Sequence, residues 1–259
     1  YWRAYLFIDR ATCYNLVEKE EDFYQSGKAF GRFQWLLADY PADELTETIP
    51  DFHNTAARFL TFQKAGEEDV MGRAAGVQDE IRFVREREKD MSLAYDLQKE
   101  GRLPLRVSHN DTKLNNIMID DATGQALCII DLDTIMPGFS IFDYGDSIRF
   151  GANTAQDEER DLSKVSLSLP LFEIYTRGFL EGSEGRLTET ETDMLPYGAR
   201  MMTLECGMRF LTDYLQGDTY FHTSREGHNL DRCRTQFALV ADMERKWSQM
   251  KDIVKKYQG

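Results

Sequence analysis

The chemistry available to this sequence is concentrated in two short stretches. His109, Asp111, Lys113 and Asn116 follow the pattern H-x-D-x-K-x-x-N, and Asp131 closes the apolar run Ala126-Leu-Cys-Ile-Ile-Asp131. A carboxylate beside a lysine, then an amide and a second carboxylate, combines a proton acceptor with the oxygen donors a hard divalent cation prefers. Phosphoryl transfer requires both functions. One group must orient the attacking hydroxyl or take its proton, and a cation must bridge the phosphates as charge moves to the leaving oxygen. On this reading Asp111 is the base and meets the acceptor hydroxyl, while Asn116 and Asp131 are the Mg²⁺ ligands. Lys113 places a positive charge near the transferring phosphate, and His109 shapes the loop by hydrogen bonding. The cofactors implied are ATP and Mg²⁺.

Those residues need strands to hold them. The apolar runs on either side of Asp121-Ala-Thr-Gly124 suit buried strands, and that tetrapeptide suits a hairpin turn, so the polar groups converge at strand ends. Upstream, Tyr1-Trp-Arg-Ala-Tyr-Leu-Phe-Ile-Asp9 reads as a strand and Arg10 to Asn15 as a connector. Phe23, Phe30, Phe33 and Leu37 recur at helical spacing over 20–38, and Tyr40-Pro41 stops that run. His53-Asn54-Thr55 offers capping side chains for a second helix, with Ala57, Leu60 and Phe62 beginning its buried stripe and His53 in a structural role. A helix is expected over 79–99, its charge run Arg85-Glu-Arg-Glu-Lys-Asp90 marking the solvated face. Beyond Pro137-Gly138, Asp143, Asp146 and Arg149 fall in a further helix. Further helices are expected near 170–180, 189–215 and 225–257.

Composition bounds the alternatives. The 259 residues are 42% hydrophobic and 29% charged, enough for a sizeable core. A net charge of −14 repels nucleic acid and anionic lipid over most of the surface, while local cations and helix ends leave room for a small phosphorylated cofactor. No apolar run is long enough to span a bilayer. Cys13, Cys128, Cys206 and Cys233 form no C-x-x-C pair, which favours reduced thiols in a cytoplasmic protein over a disulfide framework.

The two motifs resemble those of the eukaryotic-like kinase superfamily. Asn110 replaces the arginine of the protein-kinase H-R-D, and Asp131-Leu-Asp133 replaces D-F-G, so the small-molecule branch of aminoglycoside phosphotransferases and choline kinases fits better. Within that branch, His109 to Asn116, Ile130 to Thr134 and Thr203 to Phe221 are most similar to N-acetylhexosamine 1-kinases. The resemblance implies ATP-dependent phosphorylation of the anomeric hydroxyl of an N-acetylhexosamine. It also implies that Asp143 and Asp146 brace the loop, with Arg149 as a partner, and a sugar pocket with Arg209 beside the helix stripe Leu204, Met208, Leu211 and Leu215, and Tyr220 stacking on the sugar. The fold expected is α+β and protein-kinase-like, a mainly helical C-terminal lobe with a catalytic β-hairpin over 11–259. Residues 1–10 would be the last strand of an N-terminal nucleotide lobe and the hinge, with Phe7, Ile8, Asp9 and Arg10 placing backbone groups against adenine. The rest of that lobe is expected upstream, because no glycine-rich phosphate loop precedes the motif.

Other chemistries fit less well. A two-metal hydrolase usually draws on more histidines than His53, His109, His222 and His228 supply at these separations. No G-x-S-x-G elbow supports a serine hydrolase. The remaining alternatives are a choline or aminoglycoside kinase and a non-catalytic binding module of the same fold.

Overall fold

The computed structural model describes residue 2 and residues 4–258; Tyr1, Arg3 and Gly259 lie outside the described residues. Strands are short and few. Ala11–Thr12 (β1), Arg106–Ser108 (β2), Ile117–Asp120 (β3), Ala126–Ile129 (β4) and Met136–Gly138 (β5) form two antiparallel sheets, ordered β1-β3-β4 and β2-β5. The expected hairpin is β3 and β4, with Ile117 opposite Ile129. Its turn is built by Asp120, whose carboxylate accepts the N–H groups of Ala122 and Thr123 at 3.0 and 2.7 Å. Such a side-chain cap closes the reversal locally. In the other sheet Val107 lies opposite Pro137. A side chain at Gly138 would place its Cβ 2.7 Å from the Ser108 hydroxyl oxygen, so glycine is what lets these strands close under the loop.

The remainder is helical: Glu20–Leu36 (α1), Thr55–Glu68 (α2), Gln78–Arg85 (α3), Leu93–Lys99 (α4), Ser140–Gly151 (α5), Leu169–Ser183 (α6), Glu189–Asp193 (α7), Leu195–Gln216 (α8), His228–Arg245 (α9) and Trp247–Tyr257 (α10). This is an α+β, kinase-like fold. At its centre is α5, buried at every residue from Ser140 to Arg149. Tyr144 of α5 meets Phe172, Tyr175 and Phe179 of α6, and Tyr175 meets Phe23 of α1. These large rings supply much of the apolar burial that holds the core.

Two helix pairs approach so closely that side chains are excluded from their crossings. A Cβ at Gly145 of α5 would lie 2.3 Å from the Gly198 carbonyl oxygen of α8, and one at Gly198 would lie 2.1 Å from the Ile141 carbonyl oxygen. The α1 and α6 crossing relies on Gly27, Gly31, Gly178 and Gly182 in the same way. Backbone lies against backbone there, so neither partner can turn aside.

Several expected elements differ from the structure, each for a physical reason. Residues 4–9 of the expected first strand are not in a strand, and the chain first pairs at Ala11–Thr12, within the expected connector. On α2 the buried face is Thr55, Phe59, Phe62 and Ala65, and Leu60 points to solvent; Asn54 does cap it, accepting the Ala57 N–H at 3.1 Å. The single helix expected over 79–99 is α3 and α4 with a corner between them. Arg87 makes that corner by turning inward to Glu244 at 2.7 Å and over the Phe83 ring, so part of the charge run is not a solvated face. The helix expected over 189–215 restarts at α8, where Pro196 in the first turn has no N–H to continue α7. The one expected over 225–257 breaks at Lys246, whose ammonium is drawn to Leu167 O and Asp242 at 2.8 Å. Strand β4 is half exposed rather than buried.

The α5 and α8 crossing yields a prediction. Gly198→Ala should destabilise the fold by about 1–3 kcal/mol, because the added methyl meets backbone and forces the helices apart. Urea denaturation measures it, and an unchanged midpoint would show that the crossing has slack.

Candidate active site

The loop between β2 and β3 gathers the motif residues. Asp111 faces Lys113 across 3.1 Å, and its other carboxylate oxygen accepts from the Asn116 amide at 3.1 Å. The same amide nitrogen donates to the Asp111 carbonyl at 2.8 Å, which fixes the side chain of Asn116 and leaves its amide oxygen free to accept or ligate. Asn116 in turn receives the Ile130 N–H on its backbone carbonyl at 2.9 Å. That bond ties the loop to the residue before Asp131. Asp131 itself is exposed and left-handed, with φ 58° and ψ 60°. Such a backbone is uncommon outside glycine, though Asp is among the residues that tolerate it, and it marks a constrained turn at the mouth of the site.

His109 is fully buried and holds rather than reaches. Its Nε2–H donates to the Ile130 carbonyl at 3.0 Å, and its ring stands edge-on to Phe30 and Phe33. Its carbonyl accepts the Thr134 hydroxyl at 2.7 Å. The residue therefore bolts the loop to the strand end that carries Asp131.

The brace beneath the loop comes from α5. Asp143 accepts three N–H groups, from the backbones of His109 and Asn110 at 2.9 and 2.8 Å and from Gln34 of α1 at 2.9 Å. Asp146 accepts the Thr112 N–H at 3.1 Å and pairs with Arg149 at 3.0 Å, and Ser147 donates to the Thr112 carbonyl at 2.6 Å. Burial is the largest influence on Asp143 and raises its pKa, opposed by His109 and by the two backbone N–H groups. Burial acts on Asp146 in the same sense, but Arg149, His53 and Lys113 outweigh it and hold that carboxyl below the usual carboxylate value. The support expected from Asp143, Asp146 and Arg149 is thus present.

Two concavities are lined by expected site residues outside the loop. A cleft of about 1150 Å³ is bounded by Phe7 and Ile8 on one side and by Met118, Cys128, Asp131 and Asp133 on the other. Of the expected hinge residues, Phe7 and Ile8 line this cleft. Asp9 and Arg10 do not; they pair with each other at 4.0 Å, and the Arg10 carbonyl accepts the Asp121 N–H. The second concavity, of about 110 Å³, lies against α2 and α8 and is bounded by Arg58, Arg209, Tyr220 and Phe221 among others. Arg209 has no carboxylate partner within ion-pair distance among the described residues. Its guanidinium instead lies 5.5–5.8 Å from the ring centroids of Phe52, Tyr220 and Phe221. Asp213 accepts the N–H groups of Thr219, Tyr220 and Phe221, which shapes the turn that presents Tyr220.

The donor set suits a hard cation held jointly with phosphates. Mg²⁺ is typically bound through one or two carboxylates plus substrate oxygens rather than by an all-protein cage. The Asn116 amide oxygen and the exposed Asp131 carboxylate are donors of that kind, and among the described residues no His, Cys, Asp and Glu cluster competes for a metal. Sequence reasoning passed over Gln34 and the contact of His53 with the loop. Gln34 was detectable, as a polar residue one turn from Phe30 on the buried face of α1. The His53 bond to the Asn110 carbonyl at 3.1 Å joins distant segments and leaves no local mark.

Residues 1–167, which include the whole loop and both motif strands, match the model of the phosphotransferase enzyme family. The chain belongs to that family. Among solved structures, this phosphotransferase-family chain is similar to a choline kinase from Cryptosporidium parvum Iowa II, at 13% identity and TM-score 0.53 over 95% of this chain and 71% of that one. A choline/ethanolamine kinase family protein from Mesorhizobium loti matches at 15% identity and TM-score 0.53, over 98% of this chain and 73% of that one. A Plasmodium vivax ethanolamine kinase matches at 16% and TM-score 0.50, over 89% of this chain. At such identities the likeness is one of fold. The phosphotransferase-family chain spans 64% of that ethanolamine kinase's length. No helix among its described residues is long and apolar enough to cross a membrane.

The brace yields a second prediction. Asp146→Asn should cost about 3 kcal/mol at neutral pH, because it leaves Arg149 buried with only Asp157 at 3.4 Å. Since the Asp146 pKa is depressed in the fold, its stabilisation exists above the unfolded carboxyl value and fades as pH falls through the folded one. Denaturation curves for parent and variant should therefore converge in acid; a gap independent of pH would refute this account.

Proposed function

We propose that the protein is an ATP-dependent kinase of a small-molecule alcohol, and that its acceptor is an N-acetylhexosamine phosphorylated at the anomeric hydroxyl. The observation that carries the kinase reading is the clamp of Asp111, Lys113 and Asn116 onto the strand end bearing Asp131. The family match supports phosphotransfer, and the geometry supports a division of labour within it.

Asp111 takes the acceptor proton. Lys113 holds one oxygen of Asp111 and the Asn116 amide holds the other, so the carboxylate is oriented before the acceptor arrives. Such preorganisation keeps the reacting atoms aligned for in-line transfer. Asn116 and Asp131 are the residues that would hold Mg²⁺ through their oxygens, and the chemistry it would supply there is neutralisation of phosphate charge. Nucleotide lies in the cleft between Phe7 and Ile8 and the β4 strand end. Lys113 adds a positive charge between that cleft and the base.

The sugar reading rests on the second concavity. Arg209 of its wall lies 5.8 Å from the Phe52 ring, Phe52 adjoins His53, and His53 bonds the carbonyl of Asn110, which precedes Asp111, so the concavity is linked to the base through these intervening residues. Tyr220 is exposed and can stack on the flat face of a pyranose, while Arg209 can donate to hydroxyl or acetamide oxygens. Choline is the second reading, favoured by the names of the similar structures. A quaternary ammonium needs open aromatic faces, however, and here Arg209 already stands over those of Phe52, Tyr220 and Phe221 with a charge of the same sign.

Two measurements test this. In the protein carrying this chain, Asp111→Asn should lower kcat about a hundredfold or more with nucleotide affinity retained, while Asp131→Ala should also abolish the gain in nucleotide affinity that Mg²⁺ provides. Near-normal turnover of the first variant would remove Asp111 from the mechanism. For the acceptor, Arg209→Ala should raise KM for N-acetylhexosamine about tenfold or more and leave KM for ATP nearly unchanged. Turnover of choline in preference to every N-acetylhexosamine would sink the sugar assignment.

A further inference from the structure

His53 lies beneath the loop with both ring nitrogens facing oxygen. Nδ1 is 2.8 Å from a carboxylate oxygen of Glu205 on α8, and Nε2 is 3.1 Å from the Asn110 carbonyl. A carbonyl oxygen only accepts, so Nε2 must carry a proton. The remaining question is which residue holds the proton between Nδ1 and Glu205. Glu205 is almost fully buried and also accepts the Thr55 hydroxyl at 2.5 Å, and Arg209 is one helical turn away. A carboxylate with two donors and a neighbouring cation is best satisfied ionised. The proton therefore belongs to His53, and the ring is an imidazolium.

What this cation holds is significant. Asn110 is left-handed, at φ 65°, and is fastened on every side. Asp143 accepts its N–H at 2.8 Å, the Thr134 carbonyl accepts its side-chain amide at 2.9 Å, and its own carbonyl accepts from His53. Asn110 sets the direction in which Asp111 leaves the loop. The His53 ring also lies 4.5 Å from the Phe52 ring at a tilt of 59°, and Arg209, which lines the second concavity, stands 5.8 Å from that ring.

We propose that His53 is a charged positioning residue: its imidazolium, held by Glu205, fastens the Asn110 carbonyl and so keeps Asp111 in register with the acceptor wall. The proposal rests on the kinase reading for its effect on turnover, but the charge state of His53 is independent of that reading. Loss of one proton leaves one ring nitrogen bare, facing either a carboxylate or a carbonyl, and either choice releases an anchor. Most ionisable neighbours favour the charged form. Glu205 faces the ring from α8, Asp146 and Asp143 from α5, and Glu47 shares a small cavity with it; Tyr95 there is neutral, and Arg209 is the one cation acting through Glu205. Burial alone would lower the His53 pKa, but Glu205 and the Asn110 carbonyl reverse this and raise it. A raised histidine pKa gives stabilisation that is complete below the unfolded value and is lost as pH rises through the folded one. Turnover should follow the same course.

The first test does not use activity. Two-bond ¹H–¹⁵N correlation spectra of protein labelled with [¹⁵N]histidine, assigned with a His53→Gln variant or, if that fails to fold, through contacts to Phe52, should show His53 protonated on both nitrogens at pH 7.5. A neutral His53 there overturns the proposal whatever the protein phosphorylates. The second test is kinetic. The parent should show a descending alkaline limb in kcat set by His53, and Glu205→Gln, which preserves shape but removes the charge, should move that limb to lower pH and lower kcat about tenfold at pH 7.5, with KM for ATP little changed. A limb that stays in place in Glu205→Gln overturns the positioning role. A parent inactive toward every alcohol tested, with His53 still doubly protonated, would instead refute the kinase reading.

Discussion

A buried carboxylate must find donors, and in this fold one such requirement organises the site. Asp143 sits in a helix buried from Ser140 to Arg149, so its oxygens are satisfied by the N–H groups of His109, Asn110 and Gln34. Those donors come from the catalytic loop and from α1. The bond network therefore works in both directions: the helix stabilises a loop that would otherwise leave backbone groups unpaired, and the loop stabilises a charge that could not be buried alone. Asp146 repeats the arrangement one turn later with Thr112 and Arg149. Because the two carboxylates project from a rigid helix, the loop inherits the helix's precision rather than the mobility usual for connecting segments.

Much of this was legible in the sequence, and the pattern of what was not is physical. Local chemistry carried the hairpin turn at Asp121 to Gly124 and the order of Asp111, Asn116 and Asp131, while the support from Asp143, Asp146 and Arg149 followed from the family resemblance. Helix existence was equally clear, since Phe23 and Phe30 mark a buried face by period alone. Helix ends were less legible where tertiary contacts decided them. Arg87 turns toward Glu244 and Lys246 toward Leu167, and neither partner is near in sequence. The first strand failed for a related reason, because aromatic and β-branched residues suit a strand only if a neighbour offers its edge, and only Ala11 and Thr12 find one. His53 was visible as a residue but not as a contact.

The two concavities differ in character. In the larger cleft the wall is apolar and open, formed by Phe7, Ile8 and the half-exposed β4 strand, with Asp131 at its edge. The second concavity is small and mixed, with Arg58 and Arg209 among polar side chains and the rings of Tyr220 and Phe221. On the proposed reading such an asymmetry would let the two ligands be held by different physics, broad apolar contact for one and directional hydrogen bonding and stacking for the other.

The glycine-lined crossing of α5 and α8 separates these duties in the chain. At its N-terminal half α8 is locked against α5 with no room for a methyl group, whereas at its C-terminal half it carries Arg209 and ends in the turn that presents Tyr220. One helix thus holds an immovable end and an adaptable one. If the proposed acceptor site is right, substitutions near the turn would alter which alcohol is welcomed without reaching the carboxylates that hold the loop, so a lineage built on this scaffold could exchange acceptors by changing a few exposed side chains while the loop passes on intact.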